Sequence, residues 1–131
     1  MNRPPTRVLV LVLVALVAIL IAGCGGSSTS PVRKIGASEA VGMLDSRVVI
    51  DVRTPAEFAA GHIAGARNID VEAGDFASKI APLDTSAKYL VYCRSGRRSA
   101  IAADQMAAAG FKDVVDGGGM ADLVAAGAQT E

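Results

Sequence analysis

The sequence predicts an α/β domain built on an open parallel sheet of about five strands, with helices on both faces. Three observations carry this. Short apolar runs rich in β-branched residues alternate with helical stretches, the order of a parallel sheet with crossover helices. The runs Val48-Val49-Ile50 and Tyr89-Leu90-Val91-Tyr92 lack polar alternation, as buried strands do. Each is followed by a residue with chemistry, Asp51 in one case and Cys93 in the other, and ligands of such sheets bind beyond the carboxyl ends of the strands.

Residues 32–35 predict a short edge strand, and Ser38 the N-cap of a short helix reaching Leu44. After the strand at 48–50, Thr54-Pro55-Ala56-Glu57 has the N-cap and proline-at-N1 pattern of a helix start, with Phe58 as its apolar anchor. Residues 61–66 read as a turn into a brief strand near 67–69. A short helix follows at 75–81, stopped by Pro82. The Tyr89 strand leads through the Cys93 loop into a helix from Ser99 to Ala109, ending at Gly110. Val114-Val115 forms the last strand, and Asp116-Gly117-Gly118-Gly119 turns into a final helix over 120–126.

Residues 1–23 carry Arg3 and Arg7, an apolar run from Val8 to Ala22 and no acidic residue, the layout of a signal peptide. The fifteen apolar residues fall short of the roughly 20 that span a bilayer. The run ends in Ile21-Ala22-Gly23-Cys24, which resembles the lipobox of bacterial lipoproteins. That resemblance implies cleavage before Cys24, acylation of its sulfur and new amino terminus, and a protein anchored by lipid on the extracytoplasmic side of the cell membrane. The expected organisation is therefore a lipoprotein signal peptide (1–23), a lipidated cysteine with a flexible glycine-serine tether (24–31) and one domain (32–131). Loss of Arg3 and Arg7 leaves 11 basic against 13 acidic residues, a balance that points to no nucleic-acid partner. With Cys24 acylated, Cys93 is the single free thiol and no internal disulfide forms.

Cys93 opens the loop Cys93-Arg94-Ser95-Gly96-Arg97-Arg98 between a buried strand and a helix. Backbone N–H groups in such a loop, with the positive end of the helix, make a concave anion site. Cationic surroundings and a helix N-terminus lower a thiol's pKa, so the loop predicts a reactive thiolate. A cysteine that merely fills space needs neither clustered arginines nor a glycine beside it.

Three segments together resemble the rhodanese-like family over about 32–127. They are the signature from Asp51-Val52-Arg53 through Glu57-Phe58, Gly61-His62-Ile63 and Gly65-Ala66, the loop from Tyr92 to Arg98, and Gly118-Gly119-Met120 at the last helix. The resemblance implies a single rhodanese-like domain acting as a sulfurtransferase through a Cys93 persulfide. The thiolate takes the outer sulfur of a small donor anion such as thiosulfate and passes it to cyanide, a thiol or a protein acceptor. Arg94, Ser95, Gly96, Arg97 and Arg98 are then the expected substrate-binding residues, with Asp51 and Arg53 in support as loop anchors. His62 reads as a turn residue, Glu57 as a brace or an arginine's partner, and Met120 as core. The place where family members often carry tryptophan holds Leu123, which reads as an alternative core filler.

Cysteine phosphatases also cradle an anion over a thiolate, but their loop holds one more residue between cysteine and arginine, often with histidine before the cysteine. Here four residues separate Cys93 from Arg98 and Tyr92 precedes the cysteine. The alternative left open is a module that relays sulfur to one dedicated partner, or senses redox state, without turnover. Two distant cysteines and one histidine give no metal cluster, no cofactor is implied, and a monomer is expected.

Overall fold

A computed structural model describes residues 30–131. The expected leader (1–23), the lipidation site Cys24 and residues 25–29 of the tether lie outside the described residues. Five strands, β1 (Val32–Lys34), β2 (Val48–Asp51), β3 (Arg67–Asn68), β4 (Lys88–Cys93) and β5 (Asp113–Gly119), pair in parallel in the order β1-β5-β4-β2-β3. Five helices accompany them: α1 (Ala37–Val41), α2 (Pro55–Ala59), α3 (Phe76–Ile80), α4 (Arg97–Ala108) and α5 (Met120–Ala125). The expected five-stranded parallel sheet is what forms.

The two-residue period of β4 divides the core. Tyr89, Val91 and Cys93 point to one face, where Ile80 of α3 and Ala102, Ala103 and Met106 of α4 pack against them. Leu90 and Tyr92 point to the other, against Ala40 of α1 and Leu123 of α5. Leu90, Val91 and Leu123 have no exposed surface, and each such side chain contributes about 1.5–3 kcal/mol by leaving water. Leu123 thus fills core space, as expected of it. Met120 is only partly buried, on the rim of the same cluster.

Local signals were followed where side chains cap, and overridden where strands pair. Thr54 accepts from the Glu57 N–H at 3.3 Å while the Glu57 carboxylate accepts from the Thr54 N–H at 3.1 Å, a reciprocal cap beneath Pro55. Ser38, by contrast, is not a cap. Gly36 holds that position without a side-chain bond, and α1 stops at Val41 before a separate 3-10 turn at Leu44–Ser46. β5 runs through Gly117, Gly118 and Gly119, where a turn was expected. Cys93 pairs with Gly119 past an irregularity after Val91, so the ladder to β4 continues beyond the apolar part of the strand. A Cβ on Gly117 would stand 3.0 Å from the Leu90 side chain, so glycine suits this stretch of strand.

The carboxyl ends of β2 and β4 are locked together by Asp51, which has no exposed surface. Its Oδ1 accepts from the Arg53 N–H at 2.9 Å, and its Oδ2 accepts from Arg53 Nη2 and the Tyr92 hydroxyl, both at 2.7 Å. Arg53 Nη2 also donates to the Gly61 carbonyl at 2.7 Å, and the Tyr92 oxygen accepts from the Ile63 N–H at 2.9 Å. Burial, followed by the bond to Asp51, raises the Tyr92 pKa, so the hydroxyl stays a donor. Tyr92→Phe leaves a buried carboxylate oxygen and a buried N–H each short of one partner. The expected cost is about 1–3 kcal/mol, read as a lower denaturant midpoint with unchanged slope. A midpoint equal to wild type would remove Tyr92 from this role.

Candidate active site

β4 delivers Cys93 to the carboxyl edge of the sheet, and α4 begins four residues later at Arg97. The loop between them is as short as its glycine allows. Gly96 has φ +92°, a left-handed conformation that side chains rarely adopt, and it turns the chain back over the sulfur. The Gly96 N–H donates to Cys93 Sγ at 3.0 Å. Ser99, on the first turn of α4, brings its hydroxyl to 3.7 Å from Sγ.

Cys93 has no exposed surface, and burial pushes its thiol pKa up. Hydrogen bonds from the Ser99 N–H and hydroxyl, and from the Ser95 and Gly96 N–H groups, more than offset this and leave the pKa below that of an ordinary thiol. The lowered pKa fits the expected action of the loop N–H groups and the helix N-terminus, with the Ser99 hydroxyl added, whereas the expected part of the arginines is not among the leading causes. Backbone and hydroxyl donors do the stabilising, ahead of the arginines.

The loop is braced from two sides. Arg98 turns back to Glu57 on α2, donating from Nη1 and Nη2 at 2.8 Å each, with Glu72 at 3.4 Å from Nη1. That pairing lowers the Glu57 pKa to about 2, with the Thr54 cap adding to it. On the other side, a Cβ on Gly119 would stand 2.8 Å from the Arg94 carbonyl oxygen, so β5 supports the loop at a distance only glycine permits. The Asp116 carboxylate accepts from the Gly118 N–H at 3.0 Å and holds that glycine stretch.

The expected site residues therefore separate. Cys93, Ser95 and Gly96 surround the sulfur. Arg94 and Arg97 are exposed, and neither has a carboxylate partner among the described residues. Arg98, expected to bind substrate, is committed to Glu57, for which the pairing with an arginine was one of two expected roles without a named partner. Asp51 and Arg53 pair with each other one strand away, which suits anchors. His62 stacks on Phe58 with ring centroids 3.6 Å apart, and its backbone pairs with Glu131, as a turn residue would. Sequence reasoning missed Ser99. The signal was present, because Ser99 shares the helical stripe of Ala102, Ala103 and Met106, and a serine buried on an apolar stripe calls for a polar partner.

Beside the loop a recess of about 580 Å³ is lined by Ser95, Gly96, Gly117, Gly118, Gly119 and Asp122, and two smaller ones open near it. One, of about 250 Å³, is lined by Glu72, Ser95, Arg97 and Arg98. The other, of about 420 Å³, has Arg53 and Arg94 over an apolar wall of Met120, Ala121 and Val124. Cation and apolar surface thus meet at the mouth of the site.

Residues 36–124 match the family described as the Rhodanese-like domain. The chain is similar to the thiosulfate sulfurtransferase GlpE of Pseudomonas putida, 46% identical over 77 residues that cover 56% of this chain and 67% of that protein. Among solved structures it resembles a rhodanese-related protein from Thermoplasma volcanium, with a TM-score of 0.67 at 30% identity over 76% of this chain and 97% of the other. A rhodanese with anions from E. coli aligns with a TM-score of 0.56 at 28% identity, covering 65% of this chain and 96% of that one.

The Glu57–Arg98 brace makes a pH prediction. The folded pKa of Glu57 lies below its ordinary value of 4.5, so its contribution is complete above about pH 4.5 and is lost as pH falls toward 2. Glu57→Gln is expected to lower stability at pH 7 by about 1 kcal/mol, a gap that closes near pH 2. Denaturant titrations of both proteins across that range check it, and a gap independent of pH would contradict the assignment.

Proposed function

This chain belongs to the rhodanese-like family and is a sulfurtransferase, and we propose that it carries a sulfane sulfur from thiosulfate to a thiophilic acceptor as a Cys93 persulfide. The observation that supports this best is one buried sulfur that accepts from the Gly96 N–H at 3.0 Å with the Ser99 hydroxyl 3.7 Å away, at the mouth of a strand-to-helix loop.

In the first half-reaction the Cys93 thiolate attacks the outer sulfur of thiosulfate. A new S–S bond forms, the old one breaks, and its electron pair leaves with sulfite. The negative charge now sits on the terminal sulfur of the persulfide, where loop N–H groups stabilise it as they would an oxyanion. In the second half-reaction a nucleophile, cyanide or a thiolate, attacks that terminal sulfur, and the electron pair returns to Cys93 Sγ. No external oxidant or reductant enters. Exposed Arg94 and Arg97 attract the dianionic donor, while Arg98 holds the loop through Glu57. The loop's short span suits a sulfur atom over a bulkier phosphoryl group.

We place this chemistry outside the cytoplasm, with the domain tethered by an acylated Cys24. The support is the short apolar leader, Ile21-Ala22-Gly23-Cys24 and the glycine-serine spacer. Two or more acyl chains at one cysteine give stable anchoring, at about 0.8 kcal/mol per buried CH₂.

The persulfide is read directly by mass spectrometry. Thiosulfate is expected to add about 32 Da to the purified domain, removable by cyanide or dithiothreitol, and Cys93→Ser is expected to show neither the adduct nor thiocyanate formation. Wild-type turnover by Cys93→Ser would falsify the mechanism. Anchoring is tested separately by fractionating cells that express the full chain. Wild type is expected with membranes and released by detergent, and Cys24→Ala is expected to lose lipid labelling. Both proteins in the cytosol would end the anchoring proposal without touching the chemistry.

A further inference from the structure

Ser99 Oγ stands at a junction of three acceptors. It lies 3.1 Å from the Gly96 carbonyl, 3.5 Å from the Gly118 carbonyl and 3.7 Å from Cys93 Sγ. A hydroxyl has one proton, so it serves one of these at a time. Ser99 has no exposed surface, and water cannot replace whichever bond is not being made.

With Cys93 as a thiol, S–H donates to Ser99 Oγ and the hydroxyl proton goes to Gly96. When Sγ carries the charge, Sγ is the strongest of the three acceptors and the hydroxyl turns to it. When the persulfide forms, the charge moves one atom outward. Sγ becomes a neutral, weak acceptor, and the hydroxyl returns to the carbonyl. The hydrogen bond thus follows the electron pair.

Building on the sulfur-transfer reading above, we propose that Ser99 is a catalytic residue for discharge of the persulfide. Its hydroxyl stabilises the thiolate that Cys93 becomes when the terminal sulfur leaves. The acceptor's lone pair forms its bond to the terminal sulfur, the S–S bond breaks, and the returning pair on Sγ meets the Ser99 O–H. In the loading direction the same bond stabilises the attacking thiolate. It therefore raises the thiolate fraction near neutral pH without lowering the barrier to attack. The consequence is asymmetric: Ser99 accelerates unloading more than loading.

The test is Ser99→Ala, with Ser99→Thr as the variant that keeps a hydroxyl. The charged groups at the loop and at the strand ends beside it are Arg94, Arg97 and Arg98 with its partners Glu57 and Glu72, Asp51 and Arg53 on the β2 side, and Asp116 on β5, while Lys88, Asp104 and Asp113 lie farther along β4, α4 and β5. All are retained in both variants. Three quantities are read: the pH dependence of Cys93 alkylation by iodoacetamide, the rate of persulfide formation from thiosulfate at a pH where the thiol is fully ionised, and the rate of persulfide discharge by cyanide in a single turnover.

Ser99→Ala is expected to move the alkylation midpoint upward and to slow discharge about tenfold or more, the scale of a lost hydrogen bond to a charged group. Loading at high pH should stay within about twofold of wild type, and Ser99→Thr should recover most of the discharge rate. Equal slowing of loading and discharge with an unmoved midpoint would overturn the proposal and leave Ser99 as a loop brace. Wild-type behaviour of Ser99→Ala in all three readouts would overturn it as well. If wild type takes up no sulfur from thiosulfate, the sulfur-transfer reading and the discharge role fall together. The alkylation midpoint needs no donor and would still decide whether the hydroxyl contacts the thiolate.

Discussion

Negative charge on a sulfur with no exposed surface has lost the water that would solvate it, and that loss destabilises the ion unless the protein supplies donors instead. Cys93 meets this constraint with N–H groups from Ser95, Gly96 and Ser99 and with the Ser99 hydroxyl. Donors from three residues within one short loop can converge on a single atom only if the loop turns tightly, and the tightness has further consequences. Gly96 must adopt φ +92°. Gly119 must lack a Cβ, because the Arg94 carbonyl lies where that atom would be. Arg98 at the loop's end is held by the Glu57 carboxylate from α2. Features distant in sequence are thus answers to one electrostatic requirement.

The neighbouring strand end solves a related problem with the opposite sign of design. Asp51 is a buried carboxylate whose lone pairs are taken by the Arg53 backbone and guanidinium and the Tyr92 hydroxyl. Saturation of this kind makes a carboxylate rigid and unreactive, where the Cys93 loop keeps a charge available for chemistry. The two are coupled through β4. Tyr92 and Cys93 are consecutive, so the pleat sends Tyr92 into the Asp51 network and Cys93 to the other face of the sheet. The Val52 N–H donates to the Tyr92 carbonyl at 3.0 Å and extends the β2–β4 pairing to the last residue before the cysteine. Cys93, the proposed nucleophile, therefore stands on paired strand backbone.

Legibility in the sequence followed the range of the interactions involved. The parallel sheet was readable because unbroken apolar runs and alternating helices are local patterns, and Thr54 with Glu57 was readable because a cap spans three residues. Cys93 was readable because glycine and three arginines crowd one short loop. Arg98 was not. Its partner Glu57 lies 41 residues earlier, and no spacing rule connects the tip of a loop to the first turn of another helix. The extension of β5 through three glycines was hidden for the same reason. Glycine disfavours a strand locally, and the pairing of Cys93 with Gly119 and the tight fit of Gly117 under Leu90 are contacts between distant segments. Ser38 misled in the other direction, since a good capping residue one position inside the helix cannot cap it.

Engagement of Arg98 by Glu57 also changes what the loop offers an anion. Three free cations would bind a dianionic donor tightly, and would hold the dianionic product sulfite just as tightly, because a point charge distinguishes the two poorly. With Arg98 paired to Glu57 and reached by Glu72, Arg94 and Arg97 remain exposed positive charges without a carboxylate partner among the described residues. Exposed charges act at long range and are screened by salt, so they favour encounter more than retention. Discrimination is left to the buried donors. On the proposed chemistry these donors would recognise charge on one sulfur atom at hydrogen-bond distance, and after transfer that charge would be on the persulfide, leaving sulfite only the screened arginines.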